Sequence, residues 1–173
     1  DVRRYVVLPG FVDSHTHLAF PASRAAEYEQ RIAGATYEQT ARRGGGILST
    51  VKNLRKATPK ELEREAARWL REFAVHGTTT VEAKSGYGLD GKNELKILEI
   101  YRRLNRRGPL EIVPTFLGAH TVPPKYRRRP AAYVDLVVEK MLPLVAGKKL
   151  AEFCDVFVER GAFSVAQARK ILS

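Results

Sequence analysis

The sequence predicts a parallel α/β fold, and three observations carry that reading. Four runs rich in apolar and β-branched residues, at 11–17, 78–83, 110–116 and 154–159, each precede a stretch of helical periodicity. Alternation at this spacing calls for parallel strands joined by crossover helices, which are right-handed. The residues with chemical potential, His15, His17, Lys84 to Tyr87 and His120, all fall at the C-terminal ends of those runs. A parallel barrel builds its site from that end. A doubly wound sheet satisfies the same alternation. However, no Gly-x-Gly-x-x-Gly follows the first strand, and His15-Thr16-His17 stands in its place.

Taken in order, residues 5–8 form a short apolar run that reads as a strand, broken by Pro9-Gly10. Phe11-Val12 opens the strand that ends in His15-Thr16-His17. A helix is predicted over 24–32, with Ala25, Tyr28 and Ile32 roughly on one side. Thr36-Tyr37-Glu38-Gln39 fits a capping box, which places Tyr37 in the first turn of a short helix. Gly44-Gly45-Gly46 permits close backbone approach or a sharp bend. It lacks the Lys-Ser/Thr ending of a phosphate-cradling loop. Residues 47–56 can be helical. Thr58-Pro59-Lys60-Glu61 combines a Thr cap, Pro at the first helical position and Glu at the third. Leu62, Ala66, Trp69, Leu70 and Phe73 form the apolar stripe of that helix, and Gly77 ends it.

After the strand at 78–83 comes the Gly-rich loop Lys84-Ser85-Gly86-Tyr87-Gly88-Leu89. A helix is predicted over 93–107, stopped by Gly108-Pro109. The third strand, 110–116, is expected to be interrupted at Pro114. Leu117-Gly118-Ala119-His120-Thr121 follows. A third crossover helix is predicted over 131–142. Ser164-Val165-Ala166-Gln167 is a capping box that opens a helix after the fourth strand.

Composition narrows the function classes. At 44% hydrophobic residues the chain is ordinary for a globular protein, and no apolar run is long enough to span a membrane. Cys154, the single cysteine, excludes an internal disulfide framework and fits a reducing cytoplasm. The net charge is +11, which raises nucleic acid or an acidic partner. The basic residues are dispersed, though. Arg102, Arg103, Arg106 and Arg107 complement a helix C-terminus, and Arg127-Arg128-Arg129 lies in a Pro-bounded loop. Aromatics do not alternate with them as in single-strand binders, so nucleic acid is not the expected partner.

The strand-end residues define the candidate chemistry. Side chains two apart on a strand share a face, so His15 and His17 point the same way. Two neutral imidazoles together suit a divalent metal such as zinc. Two hydrogen-bonded strand-end histidines would satisfy the same spacing. Arg24 lies seven residues past His17, near the same mouth, although an isolated helix-start arginine is commonly solvent-facing. His76, near a helix end, reads as structural. Glu82 reads as part of an internal polar network.

The stretches PGFVDSHTHLAF (9–20), RIAGATYEQ (31–39), GGGILSTV (44–51), GTTTVEAKSGYGL (77–89), PTFLGAHTVPP (114–124) and FCDVFVERGAFS (153–164) resemble the imidazolonepropionase family of the metal-dependent amidohydrolase superfamily. The resemblance implies a partial (β/α)8 TIM-type barrel of about the first four βα units. Residues 1–8 would be a remnant of a small N-terminal β-domain, and 9–173 the first half of the barrel. It implies metal-dependent hydrolysis of the cyclic amide 4-imidazolone-5-propanoate to N-formimidoyl-L-glutamate in histidine degradation, with one divalent metal, zinc or iron. By position, His15 and His17 match metal ligands, Arg24 the group that binds the substrate carboxylate, and Tyr87 and His120 substrate contacts. Tyr37 matches a further pocket tyrosine. Lys84 sits on the second strand and does not match the bridging lysine of binuclear relatives.

The family takes a further histidine and an aspartate, and its acid/base residues, from strands beyond the fourth. A complete catalytic set is therefore not expected in this chain, which should act as an inactive piece. A small-molecule substrate, a homodimer, a cytoplasmic location and no membrane partner are expected. Another cyclic-amide amidohydrolase or deaminase, or a non-catalytic self-associating half-barrel, remain the competing readings.

Overall fold

The structure, a computed structural model, describes the chain except residues 22, 35, 37, 38, 40–44 and 160. Four strands form: β1 Phe11–Thr16, β2 Thr78–Lys84, β3 Glu111–Ala119 and β4 Phe153–Val156. They pair in parallel in the order β1-β2-β3-β4. The pairs Thr16↔Ala83, Lys84↔Thr115 and Ala119↔Val156 bring the four C-terminal ends onto one rim.

Between β1 and β2 lie α1 Ala25–Ile32, α2 Ile47–Lys56 and α3 Pro59–Val75. The α3 start is a full capping box. Thr58 Oγ1 accepts from Glu61 N at 3.3 Å, and Glu61 Oε2 accepts from Thr58 N at 2.8 Å. After β2 runs α4, Gly91–Asn105, and after β3 runs a longer helical path. That path comprises a 3₁₀ turn at Pro124–Tyr126, α5 Pro130–Leu136, a π turn at Val137–Met141 and α6 Leu142–Gly147. Pro143 explains the π turn: it has no N–H, and its ring collides with the carbonyl four residues back, so the helix widens. β4 is followed by α7, Val165–Leu172, capped by Ser164 and Gln167.

The core lies between the sheet and its helices. Val81, Ala83, Ile112 and Phe116 are buried against Leu62, Ala66 and Leu70 of α3 and Ile97, Leu98, Ile100 and Tyr101 of α4. Each fully buried Leu or Ile contributes ~1.5–3 kcal/mol of transfer free energy. The helices therefore clamp the outer face of the sheet, while the opposite face carries Glu82, Lys84 and Asp155.

Four expectations require correction. Residues 5–8 do not form a strand: Tyr5, Val6, Val7 and Leu8 are exposed, and no described strand pairs with them. Apolar content alone does not make a strand where the backbone has no neighbour to bond. The α1 stripe buries nothing, since Tyr28 and Ile32 face outward. Pro114 does not interrupt β3, which runs on to Ala119. The Pro114 carbonyl accepts from Glu152 N at 2.9 Å, and β3–β4 pairing begins one residue later at Thr115↔Phe153. Its missing N–H thus falls where the ladder has not yet begun. The helix predicted over 93–107 starts earlier, because Asp90 Oδ1 accepts from Asn93 N at 2.8 Å and caps it.

Tyr101 joins the first two strand ends. Its hydroxyl donates to Lys84 O at 3.0 Å and accepts from Ala19 N at 3.2 Å. Tyr101→Phe leaves a buried carbonyl and a buried N–H unpaired, and we expect a loss of about 1–3 kcal/mol in stability by urea denaturation. An unchanged midpoint would contradict this coupling.

Candidate functional site

The end of β1 sets the first two imidazoles. Asp13 Oδ1 accepts from His15 N at 3.2 Å, and Thr16 Oγ1 donates to Glu82 O at 2.7 Å. These bonds pin the strand end to itself and to β2. The His15 and His17 rings then lie edge to face, 6.0 Å between centroids. His15 is exposed and His17 half-buried.

His17 connects to the other strand ends. Its ring is 4.6 Å from that of Tyr87 and lies parallel to that of His120 at 5.2 Å. Tyr87 and His120 are 5.2 Å apart, and Phe157 meets His120 edge-on at 5.8 Å. Arg24, Ile47, Tyr87, His120, Thr121 and Phe157 line a cavity of about 400 Å³ beside these rings. Arg24 is itself 3.7 Å from Glu27. Loops from β1, β2, β3 and β4 therefore meet in one cluster. Four of the residues singled out from sequence, His17, Arg24, Tyr87 and His120, lie in or against it, and His15 adjoins through His17. Tyr37 lies outside the described residues.

Burial and like neighbours set the charge state. Burial pushes His17 down to about 3, assisted by the adjacent His120 and His15. Burial also lowers His120, against its hydrogen bond to Gly86. Tyr87 is raised by burial. His120 Nδ1 lies 3.0 Å from Gly86 O. A carbonyl only accepts, so Nδ1 carries the proton and Nε2 keeps its lone pair. Gly86 has φ +101, and a Cβ there would meet Leu117 O at 2.9 Å and His120 Nδ1 at 3.0 Å. Only glycine allows the loop to come this close.

On the concave side of the sheet, Lys84 Nζ bridges Glu82 Oε1 at 2.8 Å and Asp155 Oδ2 at 3.0 Å. Burial alone would lower the Lys84 ammonium; the bonds to Glu82 and Asp155 outweigh it and hold it above its ordinary value. His76 Nδ1 donates to Glu72 O at 2.8 Å at the end of α3, a structural role.

Sequence reasoning missed Glu94, Asp155 and Phe157. Asp90-x-x-Asn93-Glu94 directly after a Gly-rich loop was the signal for Glu94: a cap followed by a first-turn acid. Asp155, an acid inside an apolar strand, was the corresponding signal at β4.

The suitability of the imidazoles for a divalent metal rests on His17. Its Nδ1 is buried and has no hydrogen-bond partner, and the ring is held neutral. An orphaned imidazole nitrogen beside a second imidazole is the donor type zinc takes. Among the described residues no group of three or more His, Cys, Asp or Glu could hold a metal ion. The pair thus fits as two ligands, one short of the three in a catalytic zinc site.

A curled four-stranded parallel sheet with helices on its outer face, and a rim of imidazoles, arginine and phenol, defines a partial α/β barrel with its site at the strand C-termini. By sequence the chain is similar to the N-terminal part of imidazolonepropionases. It is 56% identical to the imidazolonepropionase of Symbiobacterium thermophilum over 99% of this chain and 41% of that protein. It is 55% identical to that of Solibacter usitatus (96% of this chain, 40% of that protein) and 49% to that of Alkaliphilus metalliredigens (99% and 41%). The chain thus spans about two fifths of the length of the curated relatives it matches. No family model matches it. No described helix is long and apolar enough to cross a membrane.

The lowered His17 value has a pH consequence. Between about 3 and the ordinary 6.5, the unfolded histidine is protonated and the folded one is not. The unfolded state then binds more protons, so stability rises with pH through this window and is lost on acidification below ~6.5. In metal-free protein, urea midpoints should fall as pH drops from 7 to 4, and less steeply in His17→Asn. Equal slopes would contradict the burial of a neutral imidazole.

Proposed function

We propose that this chain supplies the first four βα units of an imidazolonepropionase, a (β/α)8 barrel that hydrolyses 4-imidazolone-5-propanoate to N-formimidoyl-L-glutamate. In this reading residues 1–8 are the remnant of a small β-domain and 9–173 the first half of the barrel. The observation that carries it is the convergence of Arg24, Tyr87 and His120 on one cavity, against the His17 ring.

Each residue has a chemical task in this reading. The Arg24 guanidinium binds the propanoate carboxylate with paired N–H donors. Tyr87 and His120 flank the imidazolone ring. With Nδ1–H committed to Gly86 O, His120 offers Nε2 as an acceptor for a ring N–H. Tyr37 is a further pocket residue by family position. His15 and His17 would hold a zinc or iron ion, which when bound supplies an activated water and polarises the ring carbonyl. Hydrolysis places the water oxygen on the carbonyl carbon and releases the ring nitrogen, leaving a carboxylate and a formimidoyl group.

Two histidine ligands bind metal weakly, so the rest of the ligand set must come from other strands. The exposed Phe11, Val12 and Phe153, on edge strands β1 and β4, favour a second, structural expectation. In isolation the chain pairs with another copy, which light scattering would detect as a dimer mass.

Imidazole-4-propanoate, a stable analogue, should bind the chain, and Arg24→Met should weaken that binding by about 10–100-fold, the range of a charge-assisted bond. Unchanged affinity would remove Arg24 from the site. Hydrolysis of the imidazolone by this chain with added zinc should be negligible, and robust turnover would contradict the partition of ligands between the two halves.

A further inference from the structure

Glu94 has no part in the reading above, yet it is completely buried, in the first turn of α4. A buried carboxylate needs donors, and here they are all from one loop. Glu94 Oε2 accepts from Gly86 N at 2.8 Å; Oε1 accepts from Gly88 N at 2.7 Å and Leu89 N at 2.8 Å. The Ser85 hydroxyl donates to the same carboxylate and accepts from Leu117 N at 3.0 Å. One side chain therefore satisfies three amides of one loop and, through Ser85, is linked to β3.

The loop it holds is not relaxed. Leu89 sits at φ +52, which an L residue adopts only under constraint, and its N–H is one of the three bonded to Glu94. Gly86 sits at φ +101 with Leu117 O and His120 Nδ1 close against it. The loop carries Tyr87 between two bonded amides, and its Gly86 carbonyl accepts the His120 Nδ1 proton. Residue Gly86 is thus held at its N–H by Glu94, and its carbonyl, in the next peptide unit, in turn fixes His120.

We propose that Glu94 is a positioning residue for the pocket: its carboxylate sets the Gly86 to Leu89 backbone, which places the Tyr87 ring and holds His120 as the Nδ1–H tautomer with Nε2 free. A helix start needs no such residue for capping, because Asp90 already caps Asn93. Burial pushes the Glu94 carboxyl above the usual carboxylate range, and the four donors from Ser85, Gly86, Gly88 and Leu89 oppose that shift by favouring the charged form. The role depends on the proposed substrate contacts only for its value in recognition, not for its geometry.

The test uses the isotope-labelled 173-residue chain in solution. In the unsubstituted protein, couplings across hydrogen bonds should run from the amide nitrogens of Gly86, Gly88 and Leu89 to the Glu94 carboxylate carbon. Their absence overturns the proposal without any variant. Glu94→Gln presents an amide donor to this nest of donors. It should shift the His120 ring nitrogens from a pure Nδ1–H pattern to a tautomer mixture. It should also cut hydrogen-exchange protection at Gly88 and Leu89 by about tenfold or more. Thr58→Ala, which weakens the distant α3 cap, should lower stability and leave the His120 pattern untouched. A folded Glu94→Gln protein with the original His120 pattern overturns the proposal. Should Glu94→Gln fail to fold, Ser85→Ala takes its place, with the same His120 shift expected at smaller amplitude and no shift counting against the inference. Titration with imidazole-4-propanoate separates the two readings. If the tautomer moves in Glu94→Gln but the analogue never binds the unsubstituted chain, the positioning stands and the proposed substrate contacts fail.

Discussion

The Tyr101 hydroxyl holds together what the strands alone leave apart. Parallel pairing brings the strand ends to one rim but leaves the segments beyond them without ladder partners. A single fully buried O–H, bonded to Lys84 O and Ala19 N, ties the chain leaving β1 to the chain leaving β2. His17 and the Ser85 to Leu89 loop follow on either side of those two bonds. The ring packing of His17 on Tyr87 and His120 therefore depends on a phenol anchored in α4 and inserted from the core. Because α4 is itself clamped by the Leu62, Ala66 and Leu70 stripe of α3, core packing and site geometry are coupled through one side chain.

A second layer of polar groups surrounds the same rim. Lys84 spans from Glu82 to Asp155, linking β2 and β4 across β3. Tyr133 adds another tie, its hydroxyl donating to Gly118 O at 2.8 Å. These interactions are buried or half-buried, so each is worth more than a surface pair would be, and each leaves a costly orphan if one partner is removed. The strand ends are thus cross-tied where the candidate chemistry sits, while the residues preceding β1 are exposed.

Much of this was legible from residues alone. The Thr58 and Ser164 capping boxes and the Leu62 stripe follow from local rules that act within a few residues, and the parallel pairing of β1 to β4 from the alternation of strands and helices along the chain. Placement of Arg24, Tyr87 and His120 on one cavity follows from their positions at strand ends, once the strands are parallel. The convergence of Lys84 with Asp155, 71 positions apart in sequence, was not legible, because no local rule relates them. Glu94 was hidden by a helix start placed two positions late, which left the Asp90 cap outside the helix and Glu94 reading as an ordinary first-turn acid. Residues 5–8 misled in the opposite way: their composition favours a strand, but strand formation is decided by a neighbour. Pro114 misled because its effect depends on which side of the strand its missing donor faces.

The central claim is that His15 and His17 act as a pair within the same cluster as Tyr87 and His120. Zinc titration of the metal-free chain, followed through the ring signals of its four histidines, tests this most directly. The account predicts that His15 and His17 respond together, with His120 and Tyr87 perturbed through their contact with His17 and His76 unmoved. A response confined to His76, or to His15 without His17, would contradict it.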